Sequence, residues 1–286
     1  MGDRGGRDRS AARGASTRCA PEGVVLYDKP AGITSHDVVD RVRRGLGGAG
    51  IKVGHAGTLD PFATGLVLVL VGRATRVQRF LMALPKTYEA GARFGAVSST
   101  GDPEGDITPT GRVPDGDLWL PTGQVRQRPP AYSAVKLAGR RAYTLARAGV
   151  QLELPERSVH VYRFEELWRS EDRRGFVIEC SSGTYVRSLI QALGDAYCEQ
   201  LRRTRIGPFE LADADPERLV ALDDALRFLP EVRLDGEQAR RAGHGAAVPG
   251  RAAGIVRLTD DAGLIGLAEP RQGAGLLKPV VGLRPG

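Results

Sequence analysis

Six stretches of the chain carry the apolar residues expected of β-strands. Residues 66–71 form an unbroken apolar run, which is typical of a strand buried on both faces. Residues 86–94 alternate instead, so that Tyr88 lies on the same face as Phe94. The six predicted strands are residues 23–28, 66–71, 86–94, 176–181, 253–258 and 263–268.

Three further stretches repeat their apolar residues every three or four positions, which predicts amphipathic helices. The first follows Thr34 and Ser35, either of which can cap it, and the second ends at Pro85. The third follows the turn at Ser182 and Gly183. The apolar faces consist of Val38, Val42 and Leu46, of Val77, Phe80, Leu81 and Leu84, and of Val186, Leu189, Ile190 and Leu193.

Length and local composition divide the chain into three parts. At 286 residues it exceeds one typical domain, so a large domain with a small appendage is expected. Residues 1–22 are rich in Gly, Arg, Ser and Ala without a hydrophobic period, and they predict a disordered basic tail. A main domain should cover 23–232, with a polar connecting segment at 98–117. Short strands and Asp-rich turns then predict a small β-rich module over 233–286.

The positive charge of the chain is concentrated in one segment. Lys and Arg outnumber Asp and Glu by 41 to 34, which gives a net charge of +7 and an isoelectric point near 9.6. This mild excess favours a polyanionic partner, yet it also suits many ordinary enzymes. Between Gln124 and Val150 there is no acidic residue, so this segment should attract phosphates, although a solvated basic hairpin is the alternative. Its basic residues are Arg126, Arg128, Lys136, Arg140, Arg141 and Arg147.

The sequence gives little support for a metal, a cofactor or a membrane anchor. The three cysteines and four histidines stand far apart, with neither a disulfide framework nor metal-ligand spacing. Residues 45–50 match the pattern G-x-G-x-x-G, but they close a helix instead of opening one, so we reject a dinucleotide site. No apolar run approaches the roughly 20 residues that span a bilayer. We expect no metal, no cofactor and a cytoplasmic location.

Asp60 lies in a tight turn before the buried run at 66–71. Glycines at positions 54, 57 and 65 bracket it and permit backbone angles that other residues resist, and the residue after it is a proline. An aspartate before a proline is also a common turn or helix-capping residue, which is the alternative interpretation. A carboxylate held beside a core strand is nevertheless an active-site geometry.

Arg187 falls in the first turn of the third predicted helix. A cation at that end opposes the helix dipole, so it should be compensated by a nearby carboxylate or phosphate. Asp60 is our candidate for that partner. The alternative is a surface arginine, which without a partner costs a few tenths of a kcal/mol.

Several motifs, in this order along the chain, resemble the signature sequences of the tRNA pseudouridine synthase B family. They are Leu26-Tyr27-Asp28-Lys29-Pro30-Ala31-Gly32-Ile33-Thr34-Ser35, Gly54-His55-Ala56-Gly57-Thr58-Leu59-Asp60-Pro61-Phe62-Ala63-Thr64-Gly65, Lys86-Thr87-Tyr88, Gly183-Thr184-Tyr185-Val186-Arg187 and Leu201-Arg202-Arg203-Thr204-Arg205-Ile206-Gly207. Members of this family isomerise uridine 55 in the T-loop of tRNA. The resemblance covers residues from about 23 to 284 and implies the same activity here.

The resemblance also implies an α+β fold. The catalytic domain of the family has a central mixed, mostly antiparallel sheet flanked by helices. It carries a basic RNA-gripping thumb insertion, which corresponds to residues 124–155 of this chain. A small β-rich, PUA-like C-terminal domain follows, corresponding to residues 233–286. Between Gly194 and Leu201 this chain is shorter than the family usually is.

The resemblance assigns catalytic roles to three residues. Asp60 corresponds to the nucleophile and Arg187 to the arginine that pairs with it. Tyr88 corresponds to the tyrosine that stacks on the target uracil near C5, whereas without the resemblance a packed tyrosine with its hydroxyl at the rim is slightly preferred. The isomerisation involves no redox change and needs no external energy, which is consistent with the absence of cofactor motifs.

Further residues are assigned to substrate and RNA binding. A stacked nucleotide cannot reach a buried carboxylate, so the enzyme should flip its uridine out, at a cost of a few kcal/mol. His55 is then a plausible filler of the vacated stack, with a core histidine as the alternative. The substrate-binding residues are His55, Tyr185, Leu201, Lys29 and Pro30, where the Lys-Pro loop supports the active-site strand. Arg202 and Arg203 join the basic residues of 124–155 as RNA contacts.

The partner implied is the T-arm of tRNA, bound by a monomer that needs no protein partner, guide RNA or membrane. Three alternatives stay open. The first is a guide-RNA-dependent relative, although those lack the thumb, and the second is a pseudouridine synthase for another substrate. The third is a non-catalytic RNA-binding module, against which the combination of Asp60, Tyr88 and Arg187 argues. Three routes stay open for Asp60, which are attack on uracil C6, attack on C1′ and proton abstraction toward a glycal.

Overall fold

The computed structural model describes residues 21–48, 50–130, 136–137, 140–141, 154–271, 273 and 275–284. The predicted basic tail therefore lies outside the described residues except for its last two positions. Most of the predicted thumb lies outside them as well. The helices are α1 (Ser35–Gly45), α2 (Gln78–Ala83), α3 (Val186–Gln191), α4 (Leu222–Ala225) and α5 (Gly236–Gly243), with 3₁₀ turns at Gly72–Val77 and Leu211–Asp213.

The strands of the described residues form two sheets of five or more strands and two short hairpins. In chain order they are β1 (Gly23–Lys29), β2 (Val53–His55), β3 (Thr64–Val71), β4 (Lys86–Phe94), β5 (Ala96–Ser98), β6 (Ile107–Pro109), β7 (Gly123–Gln127), β8 (Lys136–Leu137), β9 (Arg140–Arg141), β10 (Arg157–Ser170), β11 (Arg173–Cys180), β12 (Ala196–Ile206), β13 (Phe209–Glu210), β14 (Asp215–Val220), β15 (Glu231–Arg233), β16 (Val248–Pro249), β17 (Val256–Asp260), β18 (Gly263–Arg271) and β19 (Leu276–Gly282).

The larger sheet has the order β14-β1-β3-β12-β4-β11-β10-β7, with β2 beside β3 and β13 beside β12. Neighbouring strands are antiparallel except for β3 and β12, which run parallel. This mixed, mostly antiparallel sheet with flanking helices confirms the predicted α+β class. The parallel pair brings the start of β3, just after Asp60, beside the middle of β12.

Strand β3 is buried on both faces, as its unbroken apolar sequence predicts. Every residue from Leu66 to Val71 has no exposed surface. Because side chains alternate along a strand, Val67, Val69 and Val71 enter one core, whereas Leu66, Leu68 and Leu70 enter the other. Each such side chain stabilises the fold by roughly 1.5–3 kcal/mol, so β3 is a firm base for the turn that precedes it.

Helix α1 supports the same turn from one side. Thr34 is its N-cap: its side chain accepts a hydrogen bond from the Asp37 amide, and the Asp37 carboxylate accepts one from the Thr34 amide. Ser35, the alternative cap, is instead buried against the chain before Asp60. Its hydroxyl accepts from the Leu59 amide at 2.8 Å and donates to the Leu59 carbonyl at 3.3 Å.

The smaller sheet has the order β15-β17-β18-β19-β16 and packs against α5. It confirms that the C-terminal part of the chain is β-rich. Leu267 and Leu283 from this part join the core formed by Leu66, Leu68 and Leu70. Division into separate domains and the PUA-like character of the module stay predictions. Among the described residues, no helix is long and apolar enough to cross a membrane.

Candidate active site

The Asp60 turn is tied down on both sides of the carboxylate. Before it, the Leu59 main chain bonds the Ser35 hydroxyl, as described above. After it, the Pro61 carbonyl accepts from the Gly32 amide at 2.9 Å and from the Lys29 ammonium at 3.1 Å. The Ala63 amide closes the turn onto the Asp60 carbonyl. These contacts leave the Asp60 main chain little freedom to move.

The side chain of Lys29 lies inside the protein, beneath the Asp60 turn. Its side chain is completely buried, and its ammonium donates to the carbonyls of Pro30, Ile33 and Pro61 at 2.8–3.1 Å. Burial lowers the pKa of Lys29 to about 8, although the nearby Asp60 carboxylate opposes the shift. Lys29 does not line the cavity beside Asp60, and Pro30 lies exposed outside it. These contacts agree with the expected supporting role of the Lys-Pro loop, while substrate binding by Lys29 and Pro30 stays a prediction.

Arg187 joins two carboxylates. Its Nε lies 2.9 Å from Asp60 Oδ2, and its Nη1 lies 2.9 Å from Asp102 Oδ2. Nη1 also donates to the Thr100 carbonyl at 2.8 Å. The side chain is 2% exposed, and it extends from the first turn of α3. The predicted pairing of Arg187 with Asp60 is thus present.

Asp102 is a buried site residue that the sequence did not reveal. It is 4% exposed and lies in the turn between β5 and β6, within the segment taken as a polar connection. Its Oδ1 accepts from the Thr100 hydroxyl at 2.5 Å and from the Glu104 amide at 3.0 Å. An aspartate among Ser, Thr, Gly and Pro is the usual composition of a surface turn, so the local sequence held no signal of its burial.

The electrostatic setting of Asp60 is a balance of opposed effects. Burial raises the pKa of Asp60 above its usual range, and the carboxylate of Asp102 adds to the rise. The charge of Arg187 and its hydrogen bond lower the pKa and so offset part of the shift. The side chain remains 30% exposed toward solvent, unlike that of its partner. Asp60 is therefore a solvent-accessible carboxyl group, and the nearby guanidinium of Arg187 favours its ionised form.

A cavity of about 530 Å³ opens in front of this pair. It brings together several predicted residues that are far apart in the sequence, and its wall also includes polar main chain from residues 181–184. The predicted residues that line it are Asp60, Tyr88, Tyr185, Arg187, Leu201 and Arg203. A cavity that combines one carboxylate, two tyrosines and an apolar wall suits a planar polar ring. The short segment before Leu201 does not displace this residue from the cavity.

Tyr88 and Arg203 face each other across β4 and β12. They are direct partners in the register of these strands, and both side chains are buried. Burial raises the pKa of Tyr88, whereas the charge of Arg203 and a hydrogen bond from its guanidinium to the phenolic oxygen oppose the shift. The same guanidinium donates to the carbonyl of Leu66 at 2.7 Å and to that of Gly57 at 3.1 Å. Arg203, at 1% exposure, therefore lies at the cavity beside Tyr88, and its contact with RNA stays a prediction.

The other predicted residues whose side chains the structure describes lie away from the cavity wall. His55 is half-buried on β2, and its main-chain carbonyl accepts from the side-chain Nε2 of Gln78 at 2.7 Å. Arg202 forms an ion pair with Asp28 at 2.8 Å, and Arg126 pairs with Glu156 at 3.1 Å. Other predicted RNA contacts have either an exposed side chain or one outside the described residues. Arg128 is exposed, the side chains of Lys136, Arg140 and Arg141 are outside the description, and so is all of Arg147.

Comparison with known proteins identifies relatives that are similar in sequence to this chain. Residues 43–186 match the family model described as TruB family pseudouridylate synthase, N-terminal domain. A protein of Corynebacterium aurimucosum named tRNA pseudouridine synthase B is 42% identical over 76% of this chain and 81% of its own length. A protein of the same name from Mycobacterium sp. (strain KMS) is 41% identical over 92% of this chain and 96% of its own.

Solved structures agree with the sequence relatives. A chain in the crystal structure of a Cbf5-Nop10-Gar1 complex is 28% identical, with a TM-score of 0.64 over 86% of this chain and 78% of that one. A chain in the archaeal box H/ACA sRNP Nop10-Cbf5 complex is 25% identical, with a TM-score of 0.64 over 92% and 86%. The fold and the site thus define a pseudouridine synthase, an isomerase. The chain belongs to the TruB family of pseudouridylate synthases, which confirms the family predicted from the motifs.

Proposed function

We propose that this chain isomerises uridine to pseudouridine at position 55 in the T-loop of tRNA. Relatives at 41% and 42% identity that are named tRNA pseudouridine synthase B support tRNA as the substrate. The observation that carries the chemistry is the position of Asp60. Its carboxylate lies 2.9 Å from Arg187, on the wall of a cavity that Tyr88 and Tyr185 also line.

The reaction that this site has to perform moves the uracil without changing its composition. The bond between N1 and C1′ breaks, the uracil turns, and a bond forms between C5 and C1′. The proton on C5 is lost and N1 gains one, so atoms and electrons balance without an oxidant or a reductant. A nucleophile that traps a carbon electrophile and later leaves divides this change into easier steps.

Asp60 is the residue that we assign to that nucleophile. Nucleophilic attack needs the ionised carboxylate, and the adjacent guanidinium of Arg187 favours the ionised form against the effect of burial. The fixed main chain of the turn holds the carboxylate at one position, so that little entropy is lost when the substrate binds. Tyr88 and Tyr185 clasp the base, and Tyr88 lies near the C5 proton that must leave.

The uridine reaches Asp60 by flipping out of the T-loop stack. The carboxylate lies within the cavity, where a base that remains stacked in folded RNA cannot meet it. Extrusion costs a few kcal/mol, which stacking on the tyrosines and contacts along the RNA offset. His55, half-buried and five residues before Asp60, fills the vacated stack. The basic segment 124–155 holds the T-arm through its phosphates.

The proposed enzyme acts as a monomer in the cytoplasm, without guide RNA, protein partner or cofactor. The relatives named tRNA pseudouridine synthase B match this chain over as much as 92% of its length, which supports a stand-alone enzyme. Cys180 and Cys198 are free thiols, which suits a reducing compartment.

The proposal is tested by tritium release from an unmodified tRNA transcript labelled at C5 of uridine. Wild type should release tritium, whereas Asp60→Asn should release essentially none. Asp117→Asn, at a carboxylate 93% exposed and outside the cavity wall, serves as the matched control and should act as wild type. Release from a transcript whose T-loop uridine is replaced by cytidine would refute position 55, and full release by Asp60→Asn would refute the nucleophile.

The proposal that the chain acts as a monomer, without guide RNA or a protein partner, has its own test. The purified chain alone should convert the transcript, and size-exclusion chromatography with light scattering should give the mass of a single chain. Conversion that appears only after a guide RNA or partner proteins are added would contradict this part of the proposal. Tight, salt-sensitive tRNA binding without any conversion would indicate a binding module instead.

A further inference from the structure

Tyr185 is contacted by residues of β7 and β10, the strands at the two ends of the basic segment 124–155. Gln127 is the last residue of β7, and Arg157 is the first residue of β10. These two residues are direct partners in the antiparallel register of β7 and β10. Tyr185 lies where they meet, at the N-cap position of α3 and on the cavity wall.

The side chain of Gln127 binds the main chain of Tyr185 at two points. Its Oε1 accepts from the Tyr185 amide at 2.6 Å, and its Nε2 donates to the Tyr185 carbonyl at 3.4 Å. Gln127 is 6% exposed, so these bonds are shielded from water. A side-chain amide offers one acceptor and two donors, which is the combination needed to engage both groups of one residue.

Other contacts hold the ring of Tyr185 and the helix behind it. The guanidinium carbon of Arg157 lies 5.6 Å from the centroid of the Tyr185 ring, within the range of a cation–π contact. The Ser188 hydroxyl, one turn into α3, donates to the Arg128 carbonyl at 3.0 Å. The start of α3 is thus attached to both borders of the basic segment.

The helix α3 holds Tyr185 at its carbonyl, which accepts from the Leu189 amide at 3.2 Å. The helix has only six residues, and its N-cap makes no hydrogen bond with its own side chain. The backbone of Tyr185 is extended, with φ −101° and ψ 108°, and its amide donates to Gln127. Arg187, two residues on, shares the same first turn.

We propose that Gln127 is a positioning residue, which fixes the backbone of Tyr185 so that its ring is correctly placed against the uracil. The inference rests on the proposed role of Tyr185 in clasping the base. Gln127 itself does not line the cavity and touches no reacting atom. Its loss should slow the reaction of bound RNA while leaving RNA affinity nearly unchanged.

The test compares Gln127→Met, which keeps the length of the side chain but makes neither bond, with Gln238→Met. Gln238 lies in α5, outside the basic segment and off the cavity wall, and gives a matched control. Single-turnover tritium release is measured with saturating enzyme and a tRNA transcript labelled at every uridine, and tRNA affinity is measured separately. We expect a rate about tenfold lower for Gln127→Met, with affinity within about twofold of wild type, since small misplacements at a site cost rate.

A second comparison distinguishes positioning of Tyr185 from general damage. In a Tyr185→Ala background, Gln127→Met should cause no further loss of rate, because the ring it positions is absent. An unchanged rate for Gln127→Met in the wild-type background, or a full additional loss in the Tyr185→Ala background, would overturn the inference. If Gln127→Met does not fold, Gln127→Glu takes its place, since it keeps the acceptor for the Tyr185 amide and loses the donor.

One readout does not need catalysis. Hydrogen exchange of the peptide covering residues 183–191 should be faster in Gln127→Met than in wild type, and unchanged in Gln238→Met. If the wild-type protein released no tritium, only the proposed function would be contradicted. If hydrogen exchange of this peptide were the same in Gln127→Met as in wild type, only the role of Gln127 would be contradicted.

Discussion

Arg187 binds Asp102 as closely as it binds Asp60, each at 2.9 Å from a different nitrogen of one guanidinium. One cation thus serves two carboxylates, and the three groups together carry a net negative charge when both acids are ionised. The second carboxylate fixes the plane of the guanidinium, but it also competes with Asp60 for its charge. Asp102 therefore affects Asp60 in two opposite ways, through geometry and through electrostatics.

Removal of the cation should be the most damaging change among these three residues. Arg187→Met leaves two carboxylates facing each other in a largely buried site, a situation that typically destabilises a protein by about 3–5 kcal/mol. We expect tritium release to fall at least about a thousandfold, since the nucleophile loses both its orientation and the charge that keeps it ionised. Urea unfolding measures the stability and single-turnover release the activity. Arg227→Met, at an exposed ion pair with Asp224, is the control and should be close to neutral in both measurements.

Asp102→Asn separates the two effects of Asp102. The amide can still accept a hydrogen bond from Arg187, so the fold should persist, while the loss of orientation should lower the rate about tenfold or more. The negative charge of Asp102 raises the pKa of Asp60, so its removal must lower that pKa. The acid limb of the pH–rate profile should consequently move to lower pH. A shift toward higher pH would contradict the charge arrangement described here.

Much of this site follows from the sequence, and the missing parts have a common cause. The pairing of Asp60 with Arg187 was predictable because a cation at the start of a helix needs a negative partner. Asp102 and Arg203 were not, because their roles depend on which strands and turns meet in space. Arg203 faces Tyr88 only through the register of β12 on β4, and Asp102 reaches Arg187 only through the β5–β6 turn.

Burial of charged side chains was the other feature that local patterns missed. Lys29 ends an apolar strand and enters a turn, where a lysine is normally exposed. The structure instead gives its ammonium three carbonyl acceptors in the interior. Strand β3 shows the opposite case, since an unbroken apolar run has a single physical interpretation, burial on both faces. Apolar patterns thus predicted the core of this protein better than charged residues predicted its site.

Lys29 should make the stability of the protein depend on pH in a defined direction. Its pKa is lowered from 10.5 to about 8, so between these values the unfolded chain binds more protons than the folded one. The contribution of this group to stability therefore rises as pH increases from about 8 to 10.5. Below about pH 8 the cost of burying the charged ammonium is fully present.

The measurement compares the free energy of unfolding of wild type with that of Lys29→Met. The pH is varied from 7.5 to about 10.5, which is the pKa of Lys29 in the unfolded chain. The difference between the two proteins should grow in favour of wild type with rising pH, because other titrating groups are common to both. A difference that is constant, or that shrinks with pH, would show that Lys29 is not charged and desolvated in the folded protein.

Gly65 should tolerate no side chain, since two independent constraints meet there. Its φ of 103° is disfavoured for other residues, and a Cβ at this position would lie 2.3 Å from the Arg203 carbonyl. That carbonyl belongs to β12, which is paired with β3 at this point and cannot move without breaking the sheet. Gly65→Ala should therefore lower stability by about 3 kcal/mol or more and displace the Asp60 turn.

Gly47→Ala separates the two constraints. Gly47 has a similar φ of 90°, but no atom lies within 4 Å of a Cβ built there, so only the backbone cost of about 1–2 kcal/mol applies. In urea unfolding, Gly65→Ala should therefore be much less stable than Gly47→Ala. Under conditions where both variants are folded, Gly65→Ala should no longer release tritium from the labelled tRNA, whereas Gly47→Ala should still do so. Equal losses of stability would mean that the contact between the start of β3 and Arg203 does not restrict the turn that carries Asp60.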